Sequence, residues 1–67
     1  MNYTGVFRFW NEEKGYGFIA PLEGGPDVFA HVSALPHGLI PFKGMKASYD
    51  LGPDRQGREM AIDIEPV

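Results

Sequence analysis

Sixty-seven residues make one small domain, and a 43% hydrophobic content gives it a modest core but no second buried layer. The chain has no cysteine, which excludes disulfides and thiolate metal sites and makes a reducing compartment the expectation. A net charge of −3, from six Lys/Arg against nine Asp/Glu, excludes a uniformly basic binder of nucleic acid.

No apolar run approaches the ~20 residues of a membrane-spanning helix. The start, Met1-Asn2-Tyr3-Thr4, lacks the basic and apolar regions of a signal peptide, so a cytoplasmic protein is expected. Nine glycines and six prolines cut the chain into short pieces, and no helical stripe of ten or more residues survives between them.

Residues 4–11 read as a first strand and Asn11-Glu12-Glu13-Lys14-Gly15 as a turn. Residues 16–20 form a second strand stopped by Pro21, and Leu22-Glu23-Gly24-Gly25-Pro26 a loop of turn residues. A third strand covers 27–32, and Ser33-Ala34-Leu35 suits one helical turn with Ser33 as its cap. Residues 36–44 are an irregular connection. Residues 45–51 alternate with Met45, Ala47, Tyr49 and Leu51 on one face. After a turn at 52–57, residues 58–64 put Met60, Ile62 and Ile64 on one face and Glu59, Ala61 and Asp63 on the other.

Five short strands with a long third connection predict an all-β fold, a five-stranded antiparallel Greek-key barrel of the OB type. Closure removes the exposed edges that an open sheet would leave. Phe7, Ile19, Val28, Ala30, Ala47, Leu51, Ile62 and Ile64 are the predicted interior, and residues 1–67 the single domain.

The second and third strands have unusual faces. Gly17, Ile19, Val28, Ala30 and Val32 lie on one side; Tyr16, Phe18, Phe29 and His31, all rings, lie on the other. A surface strand ordinarily alternates apolar with polar. A second buried layer would explain rings on the outer side, but the chain is too short to build one. An open aromatic platform for flat ligands explains them, and nucleic-acid bases are the first candidates. Phe9 or Trp10 adds a further ring. Arg8 and Lys14, among the aromatics, are placed for phosphate contact, with Arg55 and Arg58 weaker candidates at the last hairpin. An acidic body with a locally basic ring face predicts binding by stacking more than by counterion release, hence a shallow salt dependence.

These residues also have plainer readings. Phe18 and Phe29 would stabilise the sheet as a cross-strand pair even without a ligand. Arg8 and Lys14 would otherwise be ordinary solvated charges. His31 has only His37 as a possible second imidazole ligand, which argues against a metal. Gly15-Tyr16-Gly17 precedes no helix, so it is no phosphate-cradling loop. No nucleophile–base pair, paired carboxylates or cofactor motif is recognisable, so neither an enzyme nor a cofactor is expected.

Lys14-Gly15-Tyr16-Gly17-Phe18-Ile19 followed by Val28-Phe29-Ala30-His31-Val32 resembles the paired RNA-binding motifs of bacterial cold-shock proteins. Gly5-Val6-Phe7-Arg8-Phe9-Trp10-Asn11 is similar to that family's first strand, and Ala61-Ile62-Asp63-Ile64 to its last, so the likeness runs through nearly the whole chain. The resemblance implies a cold-shock domain that binds single-stranded RNA and DNA, preferably pyrimidine-rich. It also implies an ATP-independent RNA chaperone acting on translation or transcription termination. Arg8, Phe9, Trp10, Lys14, Tyr16, Phe18, Phe29, His31 and Arg58 are the expected contacts. A monomer is expected, with domain-swapped dimers possible for so short a strand-rich chain.

The chain departs from the family's pattern at several positions. The usual Trp-Phe order is here Phe9-Trp10, Val6 stands for a usual lysine, and Val32 stands for a usual phenylalanine. An aliphatic side chain stacks no base, so weaker binding or one fewer subsite is expected. In the shorter, proline-rich connection, Leu39, Ile40 and Phe42 are the candidates for a further contact. The alternative from another class is a small barrel that binds proline-rich peptides in an aromatic groove flanked by acids such as Glu12 and Glu13.

Overall fold

The computed structural model describes residues 3–67. It contains β1 (Tyr3–Asn11), β2 (Tyr16–Pro21), β3 (Val28–His31), a 3-10 turn (Val32–Ala34), β4 (Lys46–Pro53) and β5 (Glu59–Pro66). The strands close a barrel in the order β1-β2-β3-β5-β4. Four of the pairings are antiparallel. The β3–β5 closure is a parallel pairing through Ala30 and Ala61. This is the expected five-strand Greek-key barrel, with one parallel seam in place of an all-antiparallel ring.

The strand boundaries shift at the ends. β4 runs on through Gly52 and Pro53, and β5 through Glu65 and Pro66, residues expected in the turn or beyond the strand. Strand-end prolines cost no ladder bond there. β3 ends at His31, one residue short of expectation, so the alternation stops before Val32. Val32 is therefore not on the inner face; it begins the 3-10 turn and is 47% exposed. The capping residue of that turn is His31, not Ser33: the imidazole accepts the Ser33 amide.

The core consists of Phe7, Ile19, Ala30, Met45, Ala47, Tyr49, Ala61 and Ile64. Val28 and Leu51, expected inside, are partly buried against it. Ile62, also expected inside, is half-buried, and Ala61 takes the inward place. The cause is a bulge in β5. Ser48 pairs with Glu65 and Asp50 with Ile62, so two steps of β4 span three of β5. The extra residue inverts the side-chain parity, which turns both Ala61 and Ile64 inward. Asp63, within this stretch, takes a φ of 50° in the left-handed region.

Tyr49 is the largest fully buried side chain, and Tyr3 stacks on it at 5.7 Å with a 23° tilt. Burial first, then the Glu23 carboxylate, then Tyr3, raise its phenol above the ordinary value of 10.0. A folded-state pKa above the unfolded value contributes stability that is complete below pH 10 and lost as pH rises through the folded value. Alkaline melts should therefore show a fall in midpoint above that pH that is absent in Tyr49→Phe. An identical alkaline fall in that variant would assign the effect to another group.

Candidate nucleic-acid interface

The ring face is assembled by register. Phe9 pairs with Phe18 across β1–β2, Phe18 with Phe29 across β2–β3, and Tyr16 with His31 two residues along. Phe9 reaches this face because β1 also bulges. Phe7 pairs with Ile19 and Phe9 with Phe18, so β1 advances two residues while β2 advances one. The inserted residue is Arg8. The parity change leaves Phe7 buried in the core and Phe9 45% exposed on the outside.

The five rings touch in an unbroken sequence. Phe9 meets Tyr16 at 5.9 Å and Phe18 at 6.5 Å. Tyr16 meets Phe18 edge-on at 6.1 Å and lies stacked on Phe29 at 5.9 Å. Phe29 meets Phe18 at 5.9 Å and His31 at 6.5 Å. Such pairs contribute ~0.5–1.5 kcal/mol each beyond buried area, so the rings hold one another in place before any ligand arrives. Their other surfaces remain partly open, since all five are half-buried or exposed.

Trp10 is set apart from this cluster. It pairs with Gly17, and its indole meets Phe7 edge-on at 5.9 Å as part of the core's rim. Of the two rings at the end of β1, Phe9 is the one joined to the platform.

His31 has a fixed orientation. Its Nδ1 accepts the Ser33 amide at 3.2 Å and lies 2.9 Å from the Ser33 hydroxyl. An accepting Nδ1 carries no proton, so the hydrogen-bond pattern assigns the neutral ring's proton to Nε2 and leaves Nε2–H as a donor.

The predicted cations divide into two groups. Arg8 Nη1 lies 3.4 Å from the Asp27 carboxylate, an exposed pair worth ~0–1 kcal/mol that a phosphate can replace. Lys14 sits in the β1–β2 turn, where its amide donates to Asn11 Oδ1 at 2.9 Å. Its ammonium makes no ion pair among the described residues. Arg58 is engaged within its own hairpin: Nε lies 3.5 Å from Asp54 Oδ2, and Nη2 donates to Gln56. Asp54 also accepts the amides of Arg58 and Gln56, and these bonds, Arg58's first, hold its carboxyl below the ordinary range.

Arg55 lines a hollow of about 610 Å³ that continues from Phe29 and His31 to Met60. Strict alternation puts Met60 inward, and nothing in the sequence marks the bulge that changes the parity of β5. Leu39 packs against the core, whereas Ile40 and Phe42 are 57% and 63% exposed. Among the described residues, no group of three or more His, Cys, Asp or Glu side chains is placed to hold a metal ion. Nor, among the described residues, is any helix long and apolar enough to cross a membrane.

Similarity to known proteins agrees with this geometry. The family profile of the 'Cold-shock' DNA-binding domain matches residues 3–67. A probable cold shock protein of Sinorhizobium fredii, y4cH, is 45% identical over 65 residues, covering 94% of either chain. The cold shock-like protein CspB of Escherichia coli is 36% identical over 56 residues, 81% of this chain and 79% of that protein. The human calcium-regulated heat-stable protein 1 is 33% identical over 64 residues, 92% of this chain but 44% of that longer protein.

Proposed function

The chain belongs to the family of the 'cold-shock' DNA-binding domain, a family that binds single-stranded nucleic acids, and on that premise we propose how it does so and to what end. Residues 1–67 act as one domain that captures unpaired RNA or DNA with little sequence preference. Bases stack on Phe9, Tyr16, Phe18, Phe29 and His31. The observation that carries this reading is the continuous contact of five outward rings across three strands. Lys14 and Arg8 hold the backbone, Arg8 after leaving Asp27. Trp10 packs against Phe7 at the rim of the core, and Arg58 fixes the hairpin that presents Arg55.

Pyrimidine-rich strands are preferred. The likeness to cold-shock proteins supports this preference, and the Nε2–H of His31 supplies a donor for a base carbonyl. A duplex hides its base faces, so each captured strand shifts the pairing equilibrium toward open without ATP. This makes the protein an RNA chaperone, working as a cytoplasmic monomer and bearing on translation or transcription termination.

The test is a hairpin RNA carrying a fluorophore and quencher at its ends. Protein added without ATP should open it in proportion to occupancy, and Phe29→Ala protein should need about tenfold more to reach the same opening. A stem that stays closed at saturating protein would remove the chaperone role. A proline-rich peptide that displaces the RNA would favour the peptide-binding alternative.

Val32 gives a second test. It is 47% exposed at the end of the platform, so a larger ring there displaces no core. Val32→Phe should tighten oligothymidine binding by about fivefold to a hundredfold, the equivalent of ~1–3 kcal/mol for one stacked base. Unchanged affinity by calorimetry would show that no base reaches this position.

A further inference from the structure

A second concavity lies away from the rings, where the start of β1, the end of β2, the 22–27 loop, β4 and the start of β5 come together. Its volume is about 400 Å³, within the range of small-ligand pockets. Its apolar lining is made by Val28, Leu51 and the buried Tyr49, and Tyr3 forms a wall. Tyr3 stacks on Tyr49 through one face and is 37% exposed. Glu23 and Glu59 line the rim and are exposed, with no ion-pair partner among the described residues. Asp27 lines it as well, and is the one acid there already met by a cation, Arg8. None of the chain's six Lys/Arg residues lines this pocket.

The chemistry is the inverse of the ring face. Carboxylates at the rim repel phosphate, so a nucleic-acid strand is the wrong occupant. A cation with an apolar stem fits, since the floor takes methylenes, the rim neutralises charge and an aromatic face is available for stacking. Arginine suits this better than lysine. Its guanidinium is planar, sheds water more readily, stacks on rings and binds carboxylates through a fork. Glu23 acts on this floor electrostatically, since its carboxylate is the second cause, after burial, of the raised Tyr49 phenol.

We propose that this acidic, tyrosine-walled pocket is a second binding site that receives an arginine side chain from a basic segment of a partner protein. The ring face stays free for nucleic acid. The protein would then join a single strand and a basic protein through surfaces of opposite charge.

The test is an amide NMR titration of the 15N-labelled protein, saturated with heptathymidine, using the peptide acetyl-Gly-Arg-Gly-amide. Its citrulline and lysine counterparts serve as comparators. Saturable shifts are expected at Tyr3, Glu23, Leu51 and Glu59, and none at Tyr16 or Phe18. Citrulline, the neutral isostere, should give no shifts, and lysine should bind roughly threefold or more weakly. Glu23→Gln combined with Glu59→Gln should weaken the arginine peptide by roughly fivefold or more and leave heptathymidine affinity unchanged. Both side chains are exposed, so the exchange leaves the core intact. Equal binding of the citrulline peptide, shifts confined to the ring face, or an unaltered response in the double variant would overturn the proposal. A spermidine titration that reproduces the shifts more tightly than the arginine peptide would also overturn it. If heptathymidine itself does not bind, the same titration on free protein still reads the pocket, so the two failures remain distinct.

Discussion

Exchange of Phe18 and Phe29 together for alanine is expected to weaken heptathymidine binding by about thirtyfold at the least, and each single exchange by about tenfold. The estimate rests on ~1–3 kcal/mol per stacked base and two bases lost. Both rings stand on the outer side of β2 and β3, with Ile19 and Ala30 filling the core behind them. The barrel therefore survives, losing the ring-to-ring terms of ~0.5–1.5 kcal/mol per pair. Leucine at the same positions separates apolar area from stacking, because it keeps the first and removes the second. Calorimetric titration at low temperature reads both variants as folded protein. A loss below threefold in the double alanine variant would assign the affinity to the cations instead.

The largest effect on stability is expected at Gly17, where β1 leaves no room for a side chain on β2. A Cβ there would clash with the Phe9 carbonyl oxygen and lie 2.7 Å from Trp10 Cε3 and 3.0 Å from Trp10 Cα. Two of the three obstacles are backbone atoms, which cannot rotate away. The strands would have to part, or the indole to leave the Phe7 edge. Overpacking of this kind costs ~3 kcal/mol. For a domain of this size that lowers the melting midpoint by roughly 12–24 °C. Gly24→Ala is the control, since its Cβ meets nothing within 4 Å and carries only the strain of a φ of +94°. Circular-dichroism melts that place Gly17→Ala within a few degrees of Gly24→Ala would contradict the close approach. The same substitution should also disturb Phe9, because that residue's carbonyl is the first obstacle, and so weaken nucleic-acid binding even where the variant folds.

The strands whose periodicity runs uninterrupted were legible. β2 and β3 are short and free of bulges, so the separation of Tyr16, Phe18, Phe29 and His31 from Gly17, Ile19 and Ala30 can be read directly by alternation. At the start of β4 the alternation of Met45, just before the strand, with Ala47 and Tyr49 survives as buried core. Parity failed where one residue is inserted. Arg8 in β1 and the stretch around Asp63 in β5 each reverse the faces of the strand beyond the insertion, and a hydrophobic pattern carries no mark of either. The choice between Phe9 and Trp10, the exchange of Ala61 for Ile62 in the core, and the outward place of Met60 all result from those two insertions. Val32 departs from its expected face for a different reason: the strand ends when the His31 imidazole captures the Ser33 amide and starts a 3-10 turn. Pairings between charged residues were also beyond sequence reading. Arg8 with Asp27 and the acidic pocket around Tyr3 join residues far apart in the chain, and strand pairing brings them together.

The most direct measurement is a 13C-resolved NMR titration of the aromatic side chains with heptathymidine and, separately, with the matching duplex. Saturable upfield ring-proton shifts are expected at Phe9, Tyr16, Phe18, Phe29 and His31 with the single strand, a smaller response at Trp10, and little response to the duplex. Saturable binding that leaves those five rings unshifted, or equal shifts with the duplex, would contradict the stacking platform.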